Sequence, residues 1–316
     1  MVSEPFLIGL IGARGHTGRE LIRLIAGHPE LMLAYASSRE FAGRRVAEVA
    51  PEDKDECIFE DIGPDEAAKR RADAVFLALP DGASDAYVAA FDQVAPQRAL
   101  IDLSADRRFD PGWAYGLPEL NRAEIRGATR IANPGCYATA AQLALAPIVD
   151  LLSGPPSVFG VSGYSGAGST PNARNDAARL ADNLMPYALV GHKHEREVSH
   201  RFGRTVRFTP HVHPAFRGLI ATVHAPLAEK IDRAAALARY HAAYADEALV
   251  ELQEAAPEMR DGAGRAGVVV GGVTVSEDGR HLVAVAALDN LLKGAAVQAI
   301  QNLNLALGLE ETCGLL

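Results

Sequence analysis

The sequence predicts an α/β protein, a doubly wound parallel sheet followed by a second, α+β domain. Three observations carry this. Short apolar strands alternate with helical segments over the first 135 residues, which implies βαβ units. Those strands are almost continuously hydrophobic, as strands buried on both faces are. After Cys136 the texture changes to alternating strands with a more antiparallel character. At 316 residues the chain also exceeds the usual size of one domain.

In order along the chain, FLIGLIG (6–12) reads as the first strand. HTGRELIRLIAGHP (16–29) carries Leu21, Leu24 and Ile25 at helical spacing and stops at Gly27 before Pro29. LMLAYAS (31–37), DAVFLALP (73–80) and RALIDLS (98–104) are further strands, and SDAYVAAFDQV lies between the last two as a helix. SVFGVSGYSGAG (157–168) is a strand running into a glycine-rich loop. TVRFTPHVHP (205–214) and LIATVHAPL (219–227) alternate like sheet strands, and IDRAAALARYHAAYADE (231–247) is a helix. GVVVGGVTVSEDGRHLVAVAALDN (267–290) reads as two strands joined at Glu277-Asp278-Gly279. LLKGAAVQAIQNLNLALGL (291–309) has helical periodicity.

Composition narrows the function. With 48% hydrophobic and 22% charged residues the chain can build a full core. Its net charge of −9 carries no basic footprint for nucleic acid or a membrane surface. No apolar run approaches the roughly 20 residues of a membrane span. The N-terminal stretch lacks the charged region and cleavage site of a signal peptide. Cys57, Cys136 and Cys313 are odd in number and widely spaced, so neither a disulfide framework nor a zinc site is expected. A cytoplasmic location follows.

GLIGARGHTG joins the first strand to the first helix, with Gly12, Gly15 and Gly18 in a G-x-x-G-x-x-G pattern. Such a turn brings backbone close to a pyrophosphate, and the helix N-terminus offers N–H groups to it. The cofactor set is therefore Gly12, Ala13, Arg14, Gly15, His16, Thr17 and Gly18. The second strand ends in Ser37-Ser38-Arg39 in place of the acidic residue that holds the ribose of NAD. Two hydroxyls and a guanidinium suit a 2′-phosphate, so NADP(H) is expected; Glu40 follows immediately and works against it.

Cys136 stands where a loop, NPG, opens into a helix, and the N–H groups there favour a thiolate. A buried core thiol is the competing reading. A nucleophilic thiol wants a base, and GHKHERE supplies His192 and His194. Two histidines two apart, with no further ligand nearby, do not make a convincing metal site, so no metal is expected. His211 and His213, flanked by prolines and followed by Arg217, suit either an anionic pocket or a surface loop.

GARGHTG, SSREFAG, DLSADRRF, YGLPELNR, NPGCYAT, GYSGAG, GHKHERE, TPHVHPAFRG and DNLLKGAAVQAIQN occur in an order that resembles the N-acetyl-γ-glutamyl-phosphate reductase family, of the shorter type, within the semialdehyde dehydrogenase group. The resemblance covers nearly the whole chain, and NPGCYAT followed by HKHxxE is its specific part. It implies a Rossmann-type NADP-binding domain over 1–135 plus 291–316 and a catalytic and dimerisation domain over 136–290. It implies Cys136 as nucleophile and His192 or His194 as acid/base, with His192 favoured. Asn290 and Lys293 fall at the nicotinamide end, and Pro80 joins the cofactor set. Three positions depart from the family pattern: Arg14 for Ser or Thr, Arg196 for Pro, and Val297 for Gly.

The implied reaction is NADPH-dependent reduction of N-acetyl-L-glutamyl 5-phosphate through a cysteine thioester, in arginine biosynthesis. Arg107, Arg108, His211 and Arg217 are candidates for the substrate's anions by charge and position. Ser165 and Gly166, with Ala167 and Gly168, offer a backbone nest. The implied partners are the small acyl phosphate and further copies of the chain, as a homodimer or homotetramer. Two alternatives compete. One is reduction of a carrier-linked aminoadipyl phosphate in lysine synthesis, one methylene away. The other is a non-catalytic NADP-binding redox sensor, which would not need the NPGC and HKH set.

Overall fold

The structure, a computed structural model, describes residues 4–51 and 56–316. The first three residues of the N-terminal stretch read above lie outside these. The chain divides into two compact units, Met1–Pro134 with Ala295–Leu316, and Gly135–Gly294.

The first unit contains β1 (Phe6–Ile11), α1 (His16–Gly27), β2 (Leu31–Ser37), β3 (Phe59–Glu60), α2 (Pro64–Lys69), β4 (Ala74–Leu77), α3 (Asp85–Val94), β5 (Ala99–Asp102), β6 (Ala114–Tyr115), α4 (Pro118–Ile125) and β7 (Arg130–Ala132). The C-terminal helix Val297–Leu307 completes it. Its sheet runs β3-β2-β1-β4-β5-β7-β6, with every pairing parallel. The strand order reverses between β1 and β4, and ligands of such sheets bind at the carboxyl ends beside that reversal. Alternate residues face two cores. Ile8, Leu10 and Phe76 pack with Leu21, Ile25, Ile300 and Leu303, while Val75, Leu77 and Leu100 pack with Tyr35, Val88 and Phe91. Each such side chain contributes about 1.5–3 kcal/mol on burial.

Here the strands are shorter than the sequence suggests. DAVFLALP is extended only over Ala74–Leu77 and RALIDLS only over Ala99–Asp102. Beyond β5 the chain folds back on Asp102, whose carboxylate accepts from the Ser104 N–H at 2.9 Å and hydroxyl at 2.9 Å.

The second unit contains α5 (Cys136–Leu145), β8 (Ser157–Gly163), α6 (Ala177–Leu180), β9 (Met185–Pro186), α7 (Lys193–Phe202), β10 (Arg207–His213), β11 (Leu219–Pro226), α8 (Arg233–Tyr244), β12 (Val250–Gln253), α9 (Met259–Gly262), β13 (Val268–Val275) and β14 (His281–Leu288). Its sheet, β12-β13-β14-β11-β8-β10-β9, is mixed. The β13–β14 hairpin turns at Gly279, where φ is +70°. His211 and His213 lie on strand β10, not in a loop. Helix α5 is buried from Tyr137 to Leu145, with Thr139 and Gln142 its buried polar side chains. It packs on β11 and β14. The hydroxyls of Tyr240 and Tyr244 on α8 donate to the Ala144 carbonyl, at 2.6 Å, and to the Leu143 carbonyl. These are two of the last four carbonyls, which a helix leaves without internal partners.

The run 291–309 is not one regular helix. Asp289 accepts from the Leu291 and Leu292 N–H groups at 2.8 and 3.2 Å, and Leu292–Ala296 forms a wide π turn. The α-helix starts only at Val297. Leu291–Gly294 therefore belong to the second unit and the helix to the first.

Candidate active site

In the second unit Cys136 is the first residue of α5, and Gly135 is its N-cap, with no side chain capping the turn. The Gly135 N–H instead donates to Glu197 Oε1 at 3.0 Å. Glu197 is on α7 and is 1% exposed, so a buried carboxylate fixes the residue before the sulfur. Gly294 closes in from another side; a Cβ there would lie 2.6 Å from the Cys136 Cβ. The NPGC cysteine thus sits at the start of a buried helix held by two other segments, and its thiol is half-buried.

Around it stands an aromatic cluster. The Tyr137 ring lies 6.3 Å from that of His192, 5.9 Å from that of His194 and 4.9 Å from that of Phe208. Its hydroxyl donates to the His211 carbonyl at 2.7 Å. Tyr187 packs edge-on to His192 at 5.5 Å. The two histidine rings are 4.8 Å apart, so the structure brings the predicted pair together.

Their roles separate. His192 is the N-cap of α7, and its Nδ1 accepts from the His194 N–H at 3.2 Å. That bond leaves the proton of the neutral ring on Nε2. Burial, then the charges of Lys193 and Arg174, push the His192 pKa down to about 4. His192 is therefore neutral at physiological pH and committed to its helix. His194 follows in the first turn of α7 and is buried at 7% exposure.

Other predicted residues carry structural contacts. The Asn290 Nδ2 donates to Ser165 Oγ at 2.8 Å, and its Oδ1 accepts from the Gly218 N–H at 2.9 Å. Lys293 is fully buried. Arg217 pairs at 3.3 Å with Asp289, which is itself fully buried. In the nest, the Ser165 N–H donates to the Phe216 carbonyl and the Gly168 N–H to the Ser165 carbonyl. Two of the four amides are thus already engaged, which removes Ser165 and Gly168 as backbone donors to an anion. Gly166 lies beside Ser162 and Asn290. His211 stacks on Phe159 at 4.4 Å.

In the first unit the glycine turn leaves β1 at the strand reversal. Gly12 has φ +87°, and a Cβ there would meet the Ala78 carbonyl oxygen at 2.3 Å. At Gly18 a Cβ would meet the Ala13 backbone at 2.8 Å. Gly15, the N-cap of α1, differs: its φ is −64° and nothing lies within 4 Å of a Cβ. The fold does not require glycine there, so the open space suits a ligand against the backbone. The Gly12 and Ala13 N–H groups donate to the Ser37 carbonyl at 3.2 and 2.9 Å, so these two amides of the turn are already engaged.

Arg14 is ion-paired with Glu40. The Arg39 side chain is 90% exposed and only 3.8 Å from Asp61. Ser37 is buried, its hydroxyl bonded to the Ile62 backbone, and Ser38 Oγ accepts from the Phe41 N–H at 3.2 Å. Arg39 is thus the SSR group with a charge to offer. These residues fit a dinucleotide and leave Arg39 for a 2′-phosphate. Pro80 is exposed in the loop after β4. Arg107 pairs with Asp85 and Asp110 and lies over Trp113. Arg108 is 6% exposed and donates to the Asn133 and Leu103 carbonyls at 2.9 and 3.2 Å.

Sequence reasoning missed Tyr187 and Arg174, and it placed Glu197 in the HKHxxE pattern without giving it a role. Glu197 is one helical turn from His194, and the Gly203 that ends α7 in a left-handed conformation was the available signal. Among the described residues no group of three or more His, Cys, Asp or Glu is placed to hold a metal, and no helix is long and apolar enough to cross a membrane.

A family model described as "Semialdehyde dehydrogenase, NAD binding domain" matches residues 7–128, and one described as "Semialdehyde dehydrogenase, dimerisation domain" matches 136–290. The chain is thus a semialdehyde dehydrogenase in class. Among curated relatives, the N-acetyl-gamma-glutamyl-phosphate reductase of Xanthomonas campestris pv. campestris (strain B100) is 56% identical over 98% of each chain. That of Xylella fastidiosa is 50% identical over 98% of this chain and 93% of its own. The chain belongs to the N-acetyl-γ-glutamyl-phosphate reductase family. Aspartate semialdehyde dehydrogenase II of Vibrio cholerae, complexed with ASA, shares the fold at a TM-score of 0.78, with 20% identity over 97% of this chain and 99% of that one. Aspartate semialdehyde dehydrogenase of Candida albicans with NADP does so at 0.74, with 14% identity over 95% and 99%.

Proposed function

We propose that this chain reduces N-acetyl-L-glutamyl 5-phosphate to N-acetyl-L-glutamate 5-semialdehyde and phosphate, a step of arginine biosynthesis. The observation that carries the reading is Cys136 at the uncapped start of a buried helix, clamped by Glu197 and Gly294 beside the His192–His194 pair. Its specificity for this acyl phosphate follows the relatives at 50–56% identity.

The chemistry runs through the sulfur. Its thiolate adds to the acyl carbon, the carbon–oxygen bond to phosphate breaks, and a thioester remains on Cys136. His194 takes the thiol proton and returns it to the departing phosphate. It serves better than His192, whose depressed pKa and helix cap make it a poor base. His192 positions its neighbour through the His194 N–H. The α5 N-terminal amides stabilise the anionic sulfur and the oxyanion that forms beside it. NADPH, when bound, would supply the hydride that takes the thioester to the aldehyde, the carbon–sulfur bond breaking to return the Cys136 thiolate. Gly15 and the first turn of α1 would hold its pyrophosphate, and the exposed Arg39 favours NADP over NAD.

The enzyme works in the cytoplasm as a homodimer or homotetramer, a reading supported by the dimerisation-domain match. Steady-state assay in the oxidative direction tests the function, using phosphate, NADP+ or NAD+, and the semialdehydes of N-acetylglutamate, N-acetylaminoadipate and aspartate. N-acetylglutamate semialdehyde with NADP+ is expected to give the highest kcat/KM. A preference for either other aldehyde contradicts the reading.

A further inference from the structure

The substrate brings two anionic ends, a phosphate at the reacting carbon and a carboxylate with three carbons between the two. Most of the candidate cations are already committed. Arg217 is paired with buried Asp289, Arg107 with Asp85 and Asp110, and Arg108 lies on two backbone carbonyls. Arg174 differs. Its side chain is exposed, and its guanidinium sits 5.0 Å over the Tyr187 ring with no carboxylate partner among the described residues. In a chain of net charge −9, an arginine uncompensated beside the His pair calls for an anion.

Its backbone is held in place. The Arg174 N–H donates to Asn172 Oδ1 at 2.9 Å. Asn172 Nδ2 donates in turn to the Ala167 carbonyl at 3.2 Å, and Asn175 Nδ2 to the Gly168 carbonyl at 2.9 Å. The segment is thereby tied to the Tyr164–Ala167 turn. The Tyr187 ring contacts both groups, 5.0 Å from its centroid to the guanidinium and 5.5 Å to the His192 ring. One aromatic ring thus touches both Arg174 and His192, the residue that positions His194.

We infer that Arg174 binds the carboxylate at the non-reacting end of the substrate, and that this contact selects amino-acid-derived acyl chains over uncharged ones. The inference rests on Cys136 as the acylated nucleophile. Tyr187 supports the guanidinium by its ring face, which keeps the cation desolvated on one side and strengthens its pull on an anion.

The test uses two aldehydes with phosphate and NADP+. N-acetylglutamate semialdehyde carries the carboxylate, and 4-acetamidobutanal is the same chain without it. In Arg174→Ala the KM for the first should rise about 10- to 100-fold, the scale of a lost charge-assisted hydrogen bond. The KM for phosphate and the kcat/KM for 4-acetamidobutanal should stay within about twofold of wild type, and Arg174→Lys should recover part of the loss. NADPH binding checks that each variant is folded, and Arg174→Gln serves if Arg174→Ala is not. Equal losses for both aldehydes would assign Arg174 a structural role and overturn the inference. A rise confined to the phosphate KM would place the wrong anion on it. A wild-type protein that oxidises N-acetylglutamate semialdehyde no better than 4-acetamidobutanal would also overturn it. A wild-type protein that oxidises neither would instead overturn the functional reading on which it stands.

Discussion

Helices α1 and α5 both begin at a glycine with no side-chain cap, and they are used in opposite ways. α1 starts at Gly15, and open space surrounds the position of its absent Cβ. α5 starts at Gly135, whose N–H is taken by the buried Glu197, while Gly294 crowds the cysteine that follows. Both ends offer amides and a positive dipole. The open one suits a ligand that arrives and leaves. The enclosed one suits a reactive atom that belongs to the chain and must not move. An uncapped helix start is thus one device, and its surroundings decide between binding and catalysis.

The largest test of the enclosed end is Cys136→Ser. Phosphate-dependent NADP+ reduction should fall by at least about a thousandfold, while NADPH binding measured by fluorescence stays at the wild-type value. Normal turnover would make the two helix starts equivalent and remove the nucleophile.

Next come the histidines. His194→Ala should lower kcat about 10²- to 10⁴-fold, the usual contribution of a general acid/base. His192→Asn keeps a good N-cap and should retain kcat within a few-fold. It should also change the acid stability. The native His192 pKa is pushed from 6.5 down to about 4, so below 6.5 the unfolded chain takes up a proton that the folded one refuses. Stability is therefore lost as pH falls from about 6.5 towards 4, and His192→Asn should flatten that slope in denaturant melts. A collapse of kcat in His192→Asn with His194→Ala unaffected would reverse the assignment.

At the open end the effects are smaller. Arg39→Ala should raise the KM for NADPH about 10- to 100-fold and leave that for NADH unchanged, since only one carries the 2′-phosphate. Equal changes would remove Arg39 from cofactor selection.

Smaller still is the stability difference between two glycines of the same turn. Gly15→Ala should lower stability by no more than about 1 kcal/mol, the loss of glycine at an N-cap, while weakening NADPH binding, because the fold leaves room for a methyl group. Gly12→Ala should destabilise by about 1–3 kcal/mol, because its φ is +87° and its Cβ would strike the Ala78 carbonyl. Equal melting temperatures would mean that Gly15 serves the fold and not the ligand.

Much of the fold was legible because its signals are local. β1, α1 and β2 follow from apolar runs and a helical stripe punctuated by glycine and proline. The β13–β14 hairpin follows from Glu277-Asp278-Gly279. What was not legible depends on distant partners. The run after Asn290 has helical periodicity, yet Asp289 draws in the Leu291 and Leu292 amides and delays the α-helix to Val297. Helix α7 has little apolar stripe to announce it, because its buried positions are His194, Glu197 and Val198. The same holds for the site. Cys136 and the histidine pair were visible as motifs. Which histidine is tied to a helix, and which arginines are neutralised by carboxylates far along the chain, were set by tertiary contacts. Arg217 and Asp289 are 72 residues apart, and Arg107 and Asp85 are 22.

The thioester on Cys136 is the centre of the account, and it can be weighed. Wild-type protein incubated with N-acetylglutamate semialdehyde and NADP+ in the absence of phosphate should accumulate one N-acetylglutamyl group, seen by intact mass and mapped to the peptide carrying Cys136. Adding phosphate should remove it. No adduct, or one mapped to Cys57 or Cys313, would contradict the mechanism.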